Sequence, residues 1–458
     1  MDGWLFSFDP SPLLRTASRG AACAELFLED TIAYSVSLED GEVESAGAQE
    51  TRGIAARSVA PDGGVRLAAA TGLAPEDALA CADAVAGTGR PRVSPPGEVE
   101  VVRSVLERPP SAISVRTRVE LAAHAHRAAK GVSRRVAHVR VFLRDGLRRI
   151  SVAHSSGAFR GAELARALLG VEVIAEEGAR VEAAFESIGG EGGLGRLSVD
   201  AVTATAVIAA RRAVALLKAP AAPAGLMPVV LGAEAGGTFV HEAVGHPLEA
   251  DLVLDGVSVF EGRLGERIAS PLITVVDDPT AVGHNGSFVI DDEGTSAQRT
   301  VLIERGVLRS YLCDRRSGLL LGQATTGNAR RESYRARPIV RMSNTMIVPG
   351  PHDAQAILRE TSRGLYVARM GGGEVDTVTG HFVFEAAEAY LIEDGELGPL
   401  VRGATLTGET EAVLASVDRV GSDLGMGIGT CGKEGQDVPI ADGEPTIRIP
   451  ALVVGGAG

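Results

Sequence analysis

A chain of 458 residues is long enough for two or three domains, each with its own core. Its 59 acidic side chains outnumber 45 basic ones, for a net charge of −14. That balance excludes generic attraction to nucleic acid or to anionic lipid, which depends on basic patches.

Residues 1–218 read as an N-terminal α/β domain of short strands and helices. The first residues, Met1-Asp2-Gly3-Trp4, lack the basic segment and apolar run of a secretory signal. Strands are expected at 24–28 and 32–37, joined as a hairpin about Glu29-Asp30. Helices are expected at 75–86 and 115–130. Strands at 136–143 and 149–154 flank Asp145-Gly146, a strong hairpin dipeptide. A long, largely apolar helix follows at 202–217. Cys23, Cys81 and Cys313 read as packing residues, and His124, His126 and His138 as ordinary helix or strand residues.

The segment 219–227, rich in Ala and Pro, reads as a linker. Residues 228–458 then form a C-terminal β-rich domain, so the fold class is α+β. Short apolar or alternating runs at 272–276, 287–290, 301–304, 307–312, 338–347, 380–384 and 389–392 are expected strands. So many strands suit a curved or barrel-like sheet around one helix. No run is apolar and long enough to span a bilayer. Four cysteines over this length suggest no disulfide framework. A cytoplasmic protein bound to neither membrane nor nucleic acid is expected.

The helix inside that sheet carries the chemistry. His241-Glu242-Ala243-Val244-Gly245-His246 places two imidazoles and a carboxylate within six residues. Neutral imidazoles are good zinc ligands, and a neighbouring carboxylate can take a proton from an activated water. The usual zinc-hydrolase spacing puts the histidines four apart on one helical face. Here they are five apart, which a regular helix would swing away from each other. An extra residue taken up as a bulge would bring them back together. Gly245 and Pro247 flank the second His, and both weaken regular helix there. The strand 228–231 and the turn Gly236-Gly237, with Thr238 as candidate N-cap, make a rigid mount.

A hydrolytic zinc site needs a third protein ligand and a position for water. Cys431 is the best candidate, in a loop whose glycines at 425, 427, 429, 432 and 435 let backbone approach closely. The same Gly-x-Gly-x-Gly run is a weak nucleotide-binding signal, since no βαβ unit or downstream acidic residue supports it.

The chain resembles the TldD/PmbA family, on the metal-bearing TldD side. The resemblance rests on the segment Gly236 to His246 and on Asp291-Asp292-Glu293-Gly294-Thr295. It continues in Thr326 to Tyr334, Arg341-Met342-Ser343-Asn344-Thr345 and Cys431 to Gln436. It is strongest from about Pro228 onward. The resemblance implies a zinc-dependent peptidase, with Zn2+ held by His241, His246 and Cys431 and Glu242 as general base. It implies small or unfolded peptide substrates lying against a strand edge in an enclosed cavity. It also implies a homodimer, or a heterodimer with a TldE/PmbA-like subunit.

Substrate-binding candidates are the glycine-lined edge Gly371, Gly372 and Gly373 with His381, and Tyr334. Tyr334, Arg331 and His284 are alternatives for an oxyanion donor. Asp291-Asp292-Glu293 reads as an acidic turn that organises loops rather than as a second metal site. Two other functions stay open: an amidase for a small-molecule amide on the same metal site, and a non-catalytic partner subunit with a structural zinc.

Overall fold

The structure is a computed structural model and describes residues 4–104, 106 and 108–456. The N-terminal half is one seven-stranded sheet. Its strands run in the order Val65–Thr71, Glu42–Val59, Cys23–Glu39, Val136–His154, Phe159–Glu177 and Val99–Arg103, and Arg180–Glu191 also pairs with Phe159–Glu177. Helices Val115–Lys130 and Val199–Leu216 start at Ser114 and Ser198, whose hydroxyls accept backbone N–H bonds. Both helices bury small side chains such as Ala122, Ala125, Ala206 and Ala210 against Val139, Val141, Leu169 and Val171 of the sheet.

The mixed α and β composition matches the sequence reading, but the strands are far longer than expected. No hairpin forms at Glu29-Asp30, because Cys23–Glu39 is one strand of 17 residues. Glu29 is buried, where it accepts the Tyr334 backbone N–H at 2.7 Å and pairs with Arg148 at 3.3 Å. The turn lies instead at Asp40-Gly41, both with positive φ. Asp145-Gly146 is likewise mid-strand, in Val136–His154. Arg118 holds the Asp145 carboxylate through two nitrogens, at 2.5 and 2.8 Å. Gly146 is needed because a Cβ there would lie 2.6 Å from the Ile32 carbonyl oxygen.

The segment 219–227 is less free than a linker. Ala219 and Ala222 are buried, Ala222 N–H donates to the Arg402 carbonyl, and a strand has begun by Gly225. That strand, Gly225–Leu231, lies between Arg363–Val375 and Ile447–Gly455 in a second seven-stranded sheet with Ala404–Glu409, His381–Glu393, Glu396–Val401 and Arg419–Val420. Arg363–Val375 also pairs with His381–Glu393, which closes five strands into a barrel. The expected strands 380–384 and 389–392 are thus one continuous element. The helix carrying the His motif packs Phe239, Val240, Ala243 and Val244 into the same core as Val229, Leu231, Val367, Phe382 and Phe384.

A six-stranded sheet completes the C-terminal half. Its order is Val307–Leu308, Thr300–Glu304, Val275–Asp277, Asn344–Ile347, Gln436–Glu444, Gly425–Lys433, which leaves the last strand at an edge. The expected strand 287–290 is irregular: Phe288 N–H bonds to Pro279 and Ile290 makes only an isolated bridge to Ser296. The run 338–347 is broken at Arg341, Met342 and Ser343, because Asp277 draws the Ser343 N–H and hydroxyl out of line. The runs 272–276 and 307–312 also shorten, to Val275–Asp277 and Val307–Leu308.

Buried charges fasten the halves together. Arg57 pairs with Glu25 and with Glu293, and Arg331 pairs with Glu25 at 2.6 Å. Among the described residues no helix is long and apolar enough to cross a membrane.

Candidate metal centre

Gly236 and Gly237 both take positive φ and turn the chain from the barrel strand into the motif helix. The cap is Gly237 rather than Thr238, which is the first helical residue and makes no capping bond. A side chain at 237 would collide with the backbone of Gly443, so glycine serves close approach as well as the turn.

After one ordinary turn, His241–Gly245 form a π-helical turn in which the His246 N–H bonds back to the His241 carbonyl. This is the extra residue that the five-residue spacing requires. It brings the two imidazoles together, with ring centroids 5.0 Å apart. Each Nε2 lies 3.3 Å from the Sγ of Cys431. The three donor atoms lie within 4.8 Å of one another.

The surroundings fix each donor. His246 Nδ1 donates to Glu249 at 2.9 Å, which leaves Nε2 as the free lone pair. Glu249 is fully buried and also accepts from Lys433 Nζ at 3.0 Å. Lys433 reaches both oxygens of Asp251, at 2.7 and 2.8 Å, and the Val340 carbonyl. Burial would raise the Glu249 carboxyl, but Lys433 and His246 outweigh it and hold it at about 2. The loop with Cys431 is braced by buried Arg341, which donates to the carbonyls of Gln436 and Cys431.

Burial pushes the Cys431 thiol up, yet the two imidazoles overcome that and bring it down to about 5. Despite burial both imidazoles are raised, His241 chiefly by its bond to Cys431 and His246 chiefly by Glu249. The pocket therefore favours positive charge between a thiolate and two ring nitrogens, which suits a metal cation. The 3.3 Å spacings are close to the ~3.5 Å that usual Zn–S and Zn–N lengths imply at a tetrahedral ion. Burial raises the Glu242 carboxyl, a direction that makes it a better base. Its Oε2 lies 3.9 Å from His246 Nε2 and it is partly open to solvent.

The other candidates are scattered. Gly371 and Gly372 line a cavity of about 570 Å³ with Gly236, Thr238, Gly427 and Asp442, beside the motif helix. Gly373 instead makes room for the Phe384 ring, and His381 is exposed where its strand pairs with Glu409. Tyr334 is 1% exposed, with its hydroxyl 3.0 Å from Thr71 and its ring against Gly53. So deeply enclosed under the N-terminal sheet, it is not free to meet a substrate. Arg331 is spent on Glu25 and stacks 4.2 Å from the Phe27 ring centre, while His284 sits near Arg196. Asp291 accepts N–H bonds from Glu293, Thr295 and Ala329, as an organising turn would. Cys23 and Cys313 are pushed up to about 12 by burial, in keeping with packing roles.

Glu249, Asp251, Lys433, Arg341 and Asp442 went unassigned in the sequence. Two signals were present: Glu249 stands three residues after His246, and Lys433 is one of only three lysines.

Family models for the PmbA/TldA metallopeptidase match this chain in three parts. Domain 1 matches residues 24–87, the central domain 108–217 and the C-terminal domain 224–456. The chain belongs to the PmbA/TldD metallopeptidase family. A metalloprotease TldD homolog of Haemophilus influenzae is 36% identical, covering 94% of this chain and 92% of its own length. A metalloprotease of Methanothermobacter thermautotrophicus is 40% identical over 82% of this chain and 80% of its own. A zinc metalloprotease TldD homolog of Saccharolobus solfataricus is 36% identical over 54% and 55%. Similar folds are also found among solved structures. One from Thermotoga maritima has a TM-score of 0.78 at 20% identity, covering 94% of this chain and 96% of that one. TldE from Thermococcus kodakarensis has a TM-score of 0.74 at 19% identity, covering 97% and 99%.

Proposed function

We propose that this family member is a zinc-dependent peptidase of the TldD type. It acts in the cytoplasm on small or unfolded peptides, as a homodimer or beside a TldE/PmbA-like subunit. One observation carries the reading: two imidazole nitrogens converge on the Cys431 sulfur, beside a carboxylate that is not a member of that donor set. Three protein donors suit a hydrolytic site, whereas structural zinc sites are usually closed by a fourth. Zinc is favoured by the thiolate and imidazole donors and by the name of the Saccharolobus relative.

His241, His246 and Cys431 would hold the ion. When bound, zinc supplies a Lewis acid that polarises a carbonyl and acidifies water. Glu242 takes a proton from the attacking water at a carboxylate oxygen and returns it to the leaving nitrogen. His246 keeps its own proton on Nδ1, against Glu249. The cavity beside the motif helix, walled by glycine backbone, receives the peptide chain.

The test is metal content and cleavage of an unstructured peptide for the wild type, Glu242→Gln and Cys431→Ala. Glu242→Gln should keep zinc and lose roughly 10²–10⁴-fold in rate. Cys431→Ala should lose the metal. A zinc-free wild type, or a fully active Glu242→Gln, rules the mechanism out.

A further inference from the structure

The cavity beside the motif helix carries a surplus of negative charge that hydrolysis itself does not need. Its charged wall residues are Glu172, Glu186, Asp442, Arg212 and Arg369. Both arginines are already engaged. Arg212 donates to Glu186 at 2.9 Å and to Glu388 at 2.5 Å. Arg369 donates to the Glu234 carbonyl at 2.7 Å and faces Glu186 at 3.5 Å. Glu172 and Asp442 have no ion pair among the described residues.

Asp442 occupies a particular place. It lies within electrostatic reach of His241, Glu242 and Cys431. Its strand partner is Gly427, in a row where Gly425 faces Glu444 and Gly429 faces Ile440. A side chain at 427 would run into the Asp442 carboxylate, so glycine keeps that carboxylate uncovered on the cavity side. Glu444, two residues along and on the same strand face, is fully buried and makes no ion pair among the described residues. It adds no counter-charge from behind.

We propose that Asp442, with Glu172, binds a cationic group of the substrate, an ammonium or guanidinium, so that the site selects peptides with positive charge near the scissile bond. This rests on the peptidase reading above. The glycine edges bring peptide backbone close, and the two carboxylates then read charge rather than shape. The cation can be a free α-amino group or a Lys or Arg side chain, since both present N–H donors to a carboxylate.

The test uses the full-length, metal-loaded Glu242→Gln protein, which binds without turnover. Fluorescent hexapeptides carrying Lys, Gln or Glu at one position, with free or acetylated N-termini, are titrated by anisotropy at low and high salt. Cationic peptides should bind roughly tenfold tighter than neutral ones. The preference should shrink in high salt, as a partly exposed charge pair does. It should collapse when Asp442→Asn or Glu172→Gln is added, and Glu172 is exposed enough that its exchange leaves the fold intact. Loss of preference on acetylation identifies the α-ammonium; persistence with Lys identifies the side chain. Equal binding of all three charges, or a preference that survives both exchanges, overturns the inference. A wild type that cleaves peptides without charge preference sinks this inference alone. Charge-selective binding by a protein that never cleaves sinks the peptidase reading alone.

Discussion

Glu249 holds the Nδ1 of His246 at 2.9 Å and is itself clamped by Lys433 at 3.0 Å. The second histidine is thus oriented by a largely buried ion pair, three residues away on one side and far along the chain on the other. Partners of this kind set the tautomer and basicity of a metal ligand. Glu249→Gln should weaken zinc binding by about 10–100-fold. Lys433→Met should do at least as much, because Glu249 and Asp251 are then left without their shared cation. Competition against a zinc chelator dye measures both.

Gly245→Ala separates packing from propensity. In an open helix alanine would gain about 1 kcal/mol over glycine. Here the added methyl collides with the Met342 sulfur in the core. The exchange should instead cost about 1–3 kcal/mol by overpacking and lower zinc occupancy, as His246 is displaced. Melting with and without zinc checks both, and a more stable variant would refute the packing account.

Arg331→Ala should loosen the two halves. It removes one of the two cations paired with Glu25 and leaves Arg57 shared between Glu25 and Glu293, with Arg315 3.9 Å from Glu293. Breaking one side of such a network costs about 3–5 kcal/mol. Urea denaturation reads the loss, and a change within about 0.5 kcal/mol, the range of ordinary surface exchanges, would show that the network relaxes freely.

Glu444 predicts a pH dependence. Burial pushes its carboxyl up to about 8 from 4.5, and the nearby Asp442 charge adds to this. Between those values the folded chain holds a proton that the unfolded chain has released. Stability therefore falls as pH rises through this window. Glu444→Gln should be close to neutral at pH 5 and stabilising at pH 9, by about 1.4 kcal/mol for each tenfold difference in proton affinity between the folded and unfolded chain. Melting curves across pH 5–9 test this, and parallel curves would refute it.

His241, Glu242 and His246 of the candidate metal centre were legible because their signal is local. Five-residue spacing, Gly245 and Pro247 all pointed to a distorted helix, and a π turn is there. Family-like motifs far apart supplied Cys431. What misled were polar pairs with distant partners. Glu29-Asp30 and Asp145-Gly146 look like turns only while Tyr334, Arg148 and Arg118 are out of view. Tyr334 and Arg331 looked like site residues because they lie in the motif-rich half, yet they bind residues some 300 positions earlier. Strand length was hidden for the same reason, since buried charge inside a strand has no periodic signature.

Cys431 stands 190 residues after His241, on the edge strand of its sheet. During synthesis the two imidazoles and Glu242 therefore leave the ribosome well before the sulfur that would complete their set. A nascent chain has a carboxylate and two rings but not the third donor, and the sulfur arrives only as the closing hairpin docks. On the peptidase reading, hydrolytic capacity is thereby withheld until that hairpin has docked against the motif helix.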